Sequence, residues 1–304
     1  MIRTTKNVEI AMALTHGGVF HADEVFASVV LSYTVKEMIV ARVTKIPDSC
    51  EKLVYDIGGG KYDHHQNDKK YRADGLPYAA AGLIWRDYGE EALRQMGIEE
   101  ELLPEVWKQV DDSLFKGIDA ADNGVSMNGT YENMSVSAII SMYNPLWDEC
   151  KETDEAFLEA CAMAEHILKR TVDNIASEIR GMAYVKKAMS ISSGKTVILE
   201  KFVPWQRCVC TEDPDNRFWY VVYPSNRGGY NVQCVPDKPA SFNMRHGLPE
   251  SWRGLRDNQL RQISGVKDAI FVHSAGFIGA AESMEGAVMM AEKAANMWTG
   301  QQNE

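Results

Sequence analysis

Leu53-Val54-Tyr55-Asp56-Ile57-Gly58-Gly59-Gly60-Lys61-Tyr62-Asp63-His64-His65 is the stretch on which a reading of this chain turns. Leu53 to Tyr55 reads as a short buried strand, and the glycines after it permit a tight turn and close backbone approach at its carboxyl end. From Asp56 to His65 the segment offers two carboxylates and two adjacent imidazoles, all able to ligate a divalent cation or carry protons. Each alone has a mundane account, since Asp63 could cap a turn and a histidine could simply face water. Complementary ligands elsewhere in the chain change the balance.

Upstream, Glu9 to Leu14 reads as a strand ending at Thr15-His16-Gly17-Gly18-Val19-Phe20-His21-Ala22-Asp23-Glu24. Val25, Phe26, Val29 and Val30 recur at helical spacing, which predicts a helix from Ala22 or Asp23. Ile39 to Val43 is a further strand. Downstream, a helix is expected after Pro77 and is expected to stop at Gly89, and another runs from Pro104 to Phe115. Strands alternating with helices imply right-handed crossovers and a mostly parallel sheet, with reactive groups gathered outside the carboxyl ends of its strands. His16, Asp56 and the Asp63-His64-His65 triplet fall there. Asp119 and Asp122, three residues apart before the Asn123-Gly124 turn, would share one helical face, and one of them is expected to ligate metal.

Asn133 to Tyr143 reads as a short helix, and Thr153 to Lys187 as a long one with an apolar stripe of Phe157, Cys161, Ala164, Leu168, Val172, Ile175 and Ile179. After Thr196 the pattern shifts to short strands with turn residues between them, a smaller α+β domain with antiparallel pairing. The expected organisation is a metal-binding domain over residues 1–190, including the long linking helix, and a substrate-binding domain over 191–304. Cys208-Val209-Cys210 alternates as a strand would. The six cysteines lack zinc-ligand spacing and read as reduced and structural.

At 304 residues, 45% hydrophobic and 25% charged, the composition is that of a soluble globular protein. No apolar run approaches membrane-spanning length, and the N-terminus lacks a signal pattern, so a cytoplasmic protein is expected. The net charge of −11 argues against a duplex-DNA binder working through a broad basic surface. It is unevenly spread: residues 201–262 hold nine basic and six acidic residues, within a chain of 32 basic and 43 acidic. A homo-oligomer is compatible with all of this.

Ligands from four segments, His16, His21 and Asp23, then Asp56, then His64 and His65, then Asp119 or Asp122, suit a two-metal centre bridged by a carboxylate. Nitrogen and oxygen donors without thiolate favour two Mn²⁺, with Mg²⁺, Co²⁺ or Zn²⁺ as alternatives. Such a centre activates water, but alone does not separate a phosphoesterase from an amidohydrolase.

These motifs resemble the DHH phosphoesterase superfamily and, more closely, the MYG (melanocyte proliferating gene) family. The similarity extends through Tyr55-Asp56-Ile57-Gly58-Gly59 and Ile118-Asp119-Ala120-Ala121-Asp122-Asn123-Gly124 to Leu248-Pro249-Glu250-Ser251-Trp252-Arg253-Gly254-Leu255-Arg256 and Phe271-Val272-His273-Ser274-Ala275-Gly276-Phe277-Ile278-Gly279. The resemblance implies an α/β fold, a DHH-phosphoesterase-like mostly parallel sheet flanked by helices with a smaller C-terminal α+β domain. It also implies a metal-dependent phosphodiesterase with 3′→5′ exonuclease activity on short single-stranded RNA. On this chain His16, His21 and Asp56 would hold one metal. Asp23, Asp56, His64 and Asp119 or Asp122 would hold the other, with Asp56 bridging. His65 would touch the scissile phosphate, and Asp63 joins Asp56 and His65 as a catalytic candidate. The wider superfamily opens with Asp-x-Asp, whereas this chain has His21-Ala22-Asp23, an imidazole where a carboxylate usually stands.

In the second half, Arg245, Arg253, Arg256 and His273 could bind phosphate oxygens, with Gly276 letting backbone amides approach an anion. His246 accompanies them, and Trp205, Trp219, Tyr220 and Trp252 could stack on bases. Two other substrates or roles remain open: a small phosphoester or dinucleotide, and a regulatory protein that binds metal without turnover.

Overall fold

The computed structural model describes residues 1–125 and 134–301. The chain divides into two compact units, Met1–Ala176 and Ser177–Glu304. The first opens with β1 (Ile2–Thr5), β2 (Ala13–His16), α1 (Ala22–Thr34), β3 (Met38–Val43) and β4 (Leu53–Val54). These strands form one parallel sheet in the order β1-β3-β2-β4, with Leu14 opposite Ala41 on one side and Val54 on the other. The strand expected from Glu9 starts later. Val8–Ile10 is instead a single 3₁₀ turn capped by the Asn7 side chain, which accepts from the Glu9 amide.

Residues 22–31 of α1 are all buried, so this helix runs through the interior rather than along a surface. That enclosure forces its polar residues, Asp23, Glu24 and Ser28, to find internal partners. Next come α2 (Ala80–Gln95), α3 (Leu103–Val110), a π-helical turn (Asp111–Phe115) and α4 (Lys116–Asp122). Gly89 does not end α2. A Cβ there would lie 2.7 Å from the Trp85 ring and 2.8 Å from Trp107 Nε1, so the glycine admits two indoles to the helix surface. Trp85 also stacks on Phe115 at 4.5 Å. The expected Asn133–Tyr143 helix is found as α5 (Val136–Ser141), its first expected residue lying outside the described residues.

Helix α6 (Thr153–Ile191) buries Phe157, Cys161, Ala164, Leu168 and Val172 of the stripe read from the sequence, leaves its Ile175 and Ile179 half-buried, and continues through the division between the units. The second unit adds β5 (Thr196–Ile198), α7 (Gln206–Glu212), β6 (Tyr220–Pro224), β7 (Tyr230–Cys234), α8 (Asp257–Ser264), β8 (Ala269–Val272), β9 (Ile278–Ala281) and α9 (Met284–Gln301). Its sheet runs β5-β6-β7-β9-β8, antiparallel except for the β5–β6 pair. Strand β6 serves two cores by alternation: Tyr220 and Val222 join Trp252, Leu260 and Met290, while Val221 and Tyr223 join Trp205, Cys208 and Val209. Cys208 and Cys210 lie on α7, not a strand, and all six thiols are free. The whole is α/β, a parallel sheet with helices followed by a smaller mixed-sheet part. No helix among the described residues is long and apolar enough to cross a membrane.

Candidate metal centre

The carboxyl ends of β2 and β4 bring the two histidine motifs together. Asp56, just past β4, holds a left-handed backbone (φ 57°), which aspartate tolerates better than most residues but which still carries strain. Its amide donates to Tyr62 O at 2.9 Å, tying the strand end to the residue before Asp63. The buried carboxylate then sits between two imidazoles: Oδ2 is 3.2 Å from His16 Nε2 and Oδ1 is 3.2 Å from His64 Nε2.

His16 Nδ1 lies 3.2 Å from Gly17 O, an atom that only accepts, so Nδ1 carries the hydrogen and Nε2 faces the carboxylates. Glu24 Oε1 is 2.9 Å from the same Nε2. Glu24 also accepts from the His21 amide through both oxygens, at 3.1 and 3.0 Å, and so closes the first turn of α1. His64 Nε2 is 2.9 Å from Asp122 Oδ2 and 3.9 Å from Asp23 Oδ2. Despite these short distances, His64 Nε2 and Asp56 Oδ1 are buried without a well-directed hydrogen bond. Donor atoms that converge without pairing are what a cation site requires.

Three sets of donor atoms lie within 4.8 Å of one another: His16, His21 and Glu24; Asp56, His64 and His65; and Asp23, His64 and Asp122. These groups, buried or half-buried except for exposed His21 and His65, could hold a metal ion, and their oxygen and nitrogen donors suit a hard or borderline divalent cation. The electrostatics agree. Burial, with repulsion from Asp56 and Asp122, lifts the Asp23 carboxyl well above its ordinary range. Burial likewise raises Glu24, against the pull of His16. Hydrogen bonds donated to the Asp56 and Glu24 carboxylates push His16 up to about 10. Burial opposes ionisation of His64, yet Asp122 and Asp56 carry it to about 10 as well. Carboxylates crowded this closely need positive charge beside them, whether protons or a cation.

Of the two aspartates near the α4 terminus, only Asp122 enters the cluster. Asp119 is fully buried and turned away, accepting from Arg72 Nε at 2.9 Å, Arg72 Nη2 at 2.7 Å and the Gly82 amide at 3.1 Å. Arg72 also forks onto Asp111. Burial lifts Asp119 to about 7 against the pull of Arg72. Asp23 has a second duty: its two oxygens accept from the Ala80 and Ala81 amides at 2.8 and 2.6 Å, capping α2 from another helix. Asp63 does not face the cluster with a free oxygen. Its Oδ2 accepts from the Gly59 amide at 2.7 Å, and its Oδ1 from the His65 amide at 2.9 Å and His65 Nδ1 at 2.8 Å. It therefore orients His65, whose ring is 64% exposed.

The loop between His16 and His21 is held from outside. Asn144 accepts from Phe20 N at 2.9 Å and donates to Phe20 O at 2.8 Å, while buried Arg42 donates to Gly18 O at 2.6 Å. A hollow of about 630 Å³ opens onto His16, His21, Asp56, Asp63, His65 and Asp122. Sequence reading passed over Glu24 as a ligand and Asn144, Arg42 and Arg72 as supports. Glu24 had a signal, standing three residues after His21 at a helix start. The supports had none, since their partners are 24 to 124 residues distant.

A family model for MYG1-type exonucleases, described as Uncharacterised protein family (UPF0160), matches residues 12–295. The chain belongs to this MYG1 family. A MYG1 protein of Schizosaccharomyces pombe is 32% identical, over 92% of this chain and 96% of its own length. Proteins named MYG1 exonuclease in Mus musculus and Homo sapiens are 33% and 32% identical, each over 91% of this chain and over 83% and 84% of their own lengths. No solved structure matches. The MYG1 match runs from before His16 to beyond Gly276, so it contains every candidate residue in both units.

In the second unit the candidates divide. Arg245 is 4% exposed, paired with Asp213 and donating to Phe218 O at 2.9 Å, so it is a structural ion pair and not a phosphate contact. Trp205, Trp219, Tyr220 and Trp252 are core residues, at most 8% exposed, and cannot stack on bases. His246 is stacked on Trp219 at 3.7 Å. Arg253 and Gly276 do meet at the β8–β9 turn that carries His273, whereas Arg256 lies beside β8. Gly276 (φ 73°) packs against the Arg253 side chain, where a Cβ would fall 2.5 Å from Nε. Arg256 lies over Phe271 at 5.4 Å, and exposed His273 accepts from the Ala275 amide at 3.1 Å.

Proposed function

We propose that this chain is a metal-dependent phosphodiesterase of the exonuclease type, acting 3′→5′ on short single-stranded RNA. The observation that carries the reading is Asp56, a buried carboxylate in a strained backbone, aimed between His16 and His64 with one oxygen lacking a directed hydrogen bond. The names of the mouse and human relatives support a nuclease-type hydrolase, and the donor set supports metal use.

His16, His21, Glu24 and Asp56 would hold one divalent cation and Asp23, Asp56, His64 and Asp122 a second, Mn²⁺ suiting the donors best. Bound there, the metal would supply Lewis-acid stabilisation of a phosphoryl oxygen and a water of lowered pKa. The residues do the rest. Asp63 fixes His65 through Nδ1–H, leaving the exposed Nε2 to meet a phosphate oxygen or move a proton at the leaving oxygen. The Phe20–Asn144 clamp keeps His21 in place. Within the second unit, Arg253, Arg256 and His273 are the candidates for binding an anion.

The test is hydrolysis of 5′-labelled oligoribonucleotides with added Mn²⁺, by the natural chain and by Asp56→Asn. Removal of single nucleotides from the 3′ end, abolished in a folded Asp56→Asn chain, supports the reading. Undiminished hydrolysis by that variant removes it. The overall charge of −11 and a hollow of about 630 Å³ favour a second reading, a dinucleotide or other small phosphoester. Faster cleavage of dinucleotides than of longer oligomers would select it.

A further inference from the structure

Phe202 stands 60% exposed on the segment between β5 and α7, although both ends of that segment are fixed. Leu199 and Trp205 are core residues on either side, and the Glu200 amide donates to Tyr184 Oη at 2.9 Å. The phenyl ring is therefore presented by a held backbone. It rests on Tyr223, with ring centroids 5.3 Å apart and planes tilted by 54°. Tyr223 is itself a core residue of β6, hydrogen-bonded through its hydroxyl to Gln233.

This aromatic pair is the wall between two hollows of about 510 and 550 Å³, both lined by Phe202 and Tyr223 and otherwise by different residues. Planar amides line each: Gln206 and Gln233 on one side, Asn226 and Asn231 on the other. The Gln206 and Asn226 amides make no hydrogen bond to the described residues. Charges are balanced, Glu178 with Arg207 in one hollow and Glu200 with Lys201 in the other.

We infer that the exposed Phe202 ring, backed by the buried Tyr223 ring, is a stacking platform for one base of a single-stranded nucleic acid. An exposed aromatic supplies the π-face that any base will accept, and amide side chains match the donor and acceptor pattern of base edges. Balanced charge means that bases, not phosphates, are the groups held here. The site is thus distinct from the arginine and histidine candidates near the β8–β9 turn. The nature of the ligand rests on the nuclease reading, but binding here requires no turnover.

The experiment measures binding of a labelled oligoadenylate to the full chain, with chelator present to prevent hydrolysis. Phe202→Ala is expected to weaken binding by about 5- to 150-fold, the loss of one base stack, and Phe202→Trp to retain it. An abasic oligomer of equal length should bind the natural chain as weakly as oligoadenylate binds Phe202→Ala. Unchanged affinity in Phe202→Ala, or equal affinity for the abasic strand, overturns the platform. Mn²⁺-dependent cleavage, assayed separately, keeps the two readings apart. Intact stacking without cleavage removes the nuclease and leaves the platform, whereas cleavage without Phe202-dependent binding does the reverse.

Discussion

Asp119 and Asp122 sit one helical turn apart yet belong to different networks, and exchanging each for asparagine should give opposite results. Asp119→Asn removes a charge from the buried Arg72 fork. Leaving part of a buried guanidinium uncompensated costs about 3–5 kcal/mol, tempered here because Asp111 remains as a partner. Taking about 2 kcal/mol for the tempered loss, at about 2–4 °C per kcal/mol for a unit of this size, Tm without metal should drop by roughly 4–8 °C. Asp122→Asn instead relieves the repulsion that Asp122 exerts on Asp23 but gives up the 2.9 Å contact with His64, so its metal-free Tm should change little. Metal response separates them further. Mn²⁺ at about 100 times its dissociation constant stabilises the folded chain by about 2.7 kcal/mol, or roughly 5–11 °C. If loss of the Asp122 oxygen weakens affinity about 100-fold, the same concentration gives only about 0.4 kcal/mol, a shift of roughly 1–2 °C. The assay is thermal unfolding in chelator and in Mn²⁺ for the natural chain and both variants. A full Mn²⁺ shift in Asp122→Asn, or its loss in Asp119→Asn with an unchanged starting Tm, would refute the assignment.

Asn144→Ala strips both hydrogen bonds from the Phe20 backbone. It should cost about 1–3 kcal/mol and weaken Mn²⁺ binding in a titration, and an unaltered titration would show that the clamp does not serve the site. Asp63→Asn keeps the acceptor but loses the charge that holds His65 Nδ1–H, so kcat should fall by about 10- to 100-fold while metal affinity changes little. Equal losses in both would make Asp63 a structural residue only. Asp87 supplies a pH test away from the centre. Burial would raise its carboxyl, but Arg86, Lys61 and Tyr62 hold it well below its ordinary range. Its stabilising effect is therefore present above the unfolded value of about 3.9 and is lost as pH falls further. Asp87→Asn should be less stable than the natural chain at pH 7 by about 1 kcal/mol, the two converging in acid denaturation. A difference that persists at the acid end would count against it.

Which parts of the molecule sequence could disclose depends on how far each contact reaches. Helix α1, strand β3 and the stripe on α6 follow from local periodicity, and they lie where Phe26, Val40 and Phe157 required. The convergence of His16, Asp56 and His64 was legible because all three close strands or loops on one side of a parallel sheet, so topology alone brings them together. The split between Asp119 and Asp122 was not legible. Spacing of three puts both on one face of an ideal helix, but Arg72, 47 residues earlier, claims the first and leaves the second to His64. Gly89 misled for a related reason: its sequence neighbourhood resembles a helix stop, while the need it meets is the approach of Trp107 from another helix. Asp23 shows the limit most clearly. A carboxylate that caps α2 with both oxygens could pass for a purely structural residue. Yet each oxygen has a second lone-pair direction, and the two amides hold the group rigid beside His64. The same bonds that satisfy the buried charge thus preorganise it for a cation, and a centre built this way has its geometry set by folding before any ion arrives.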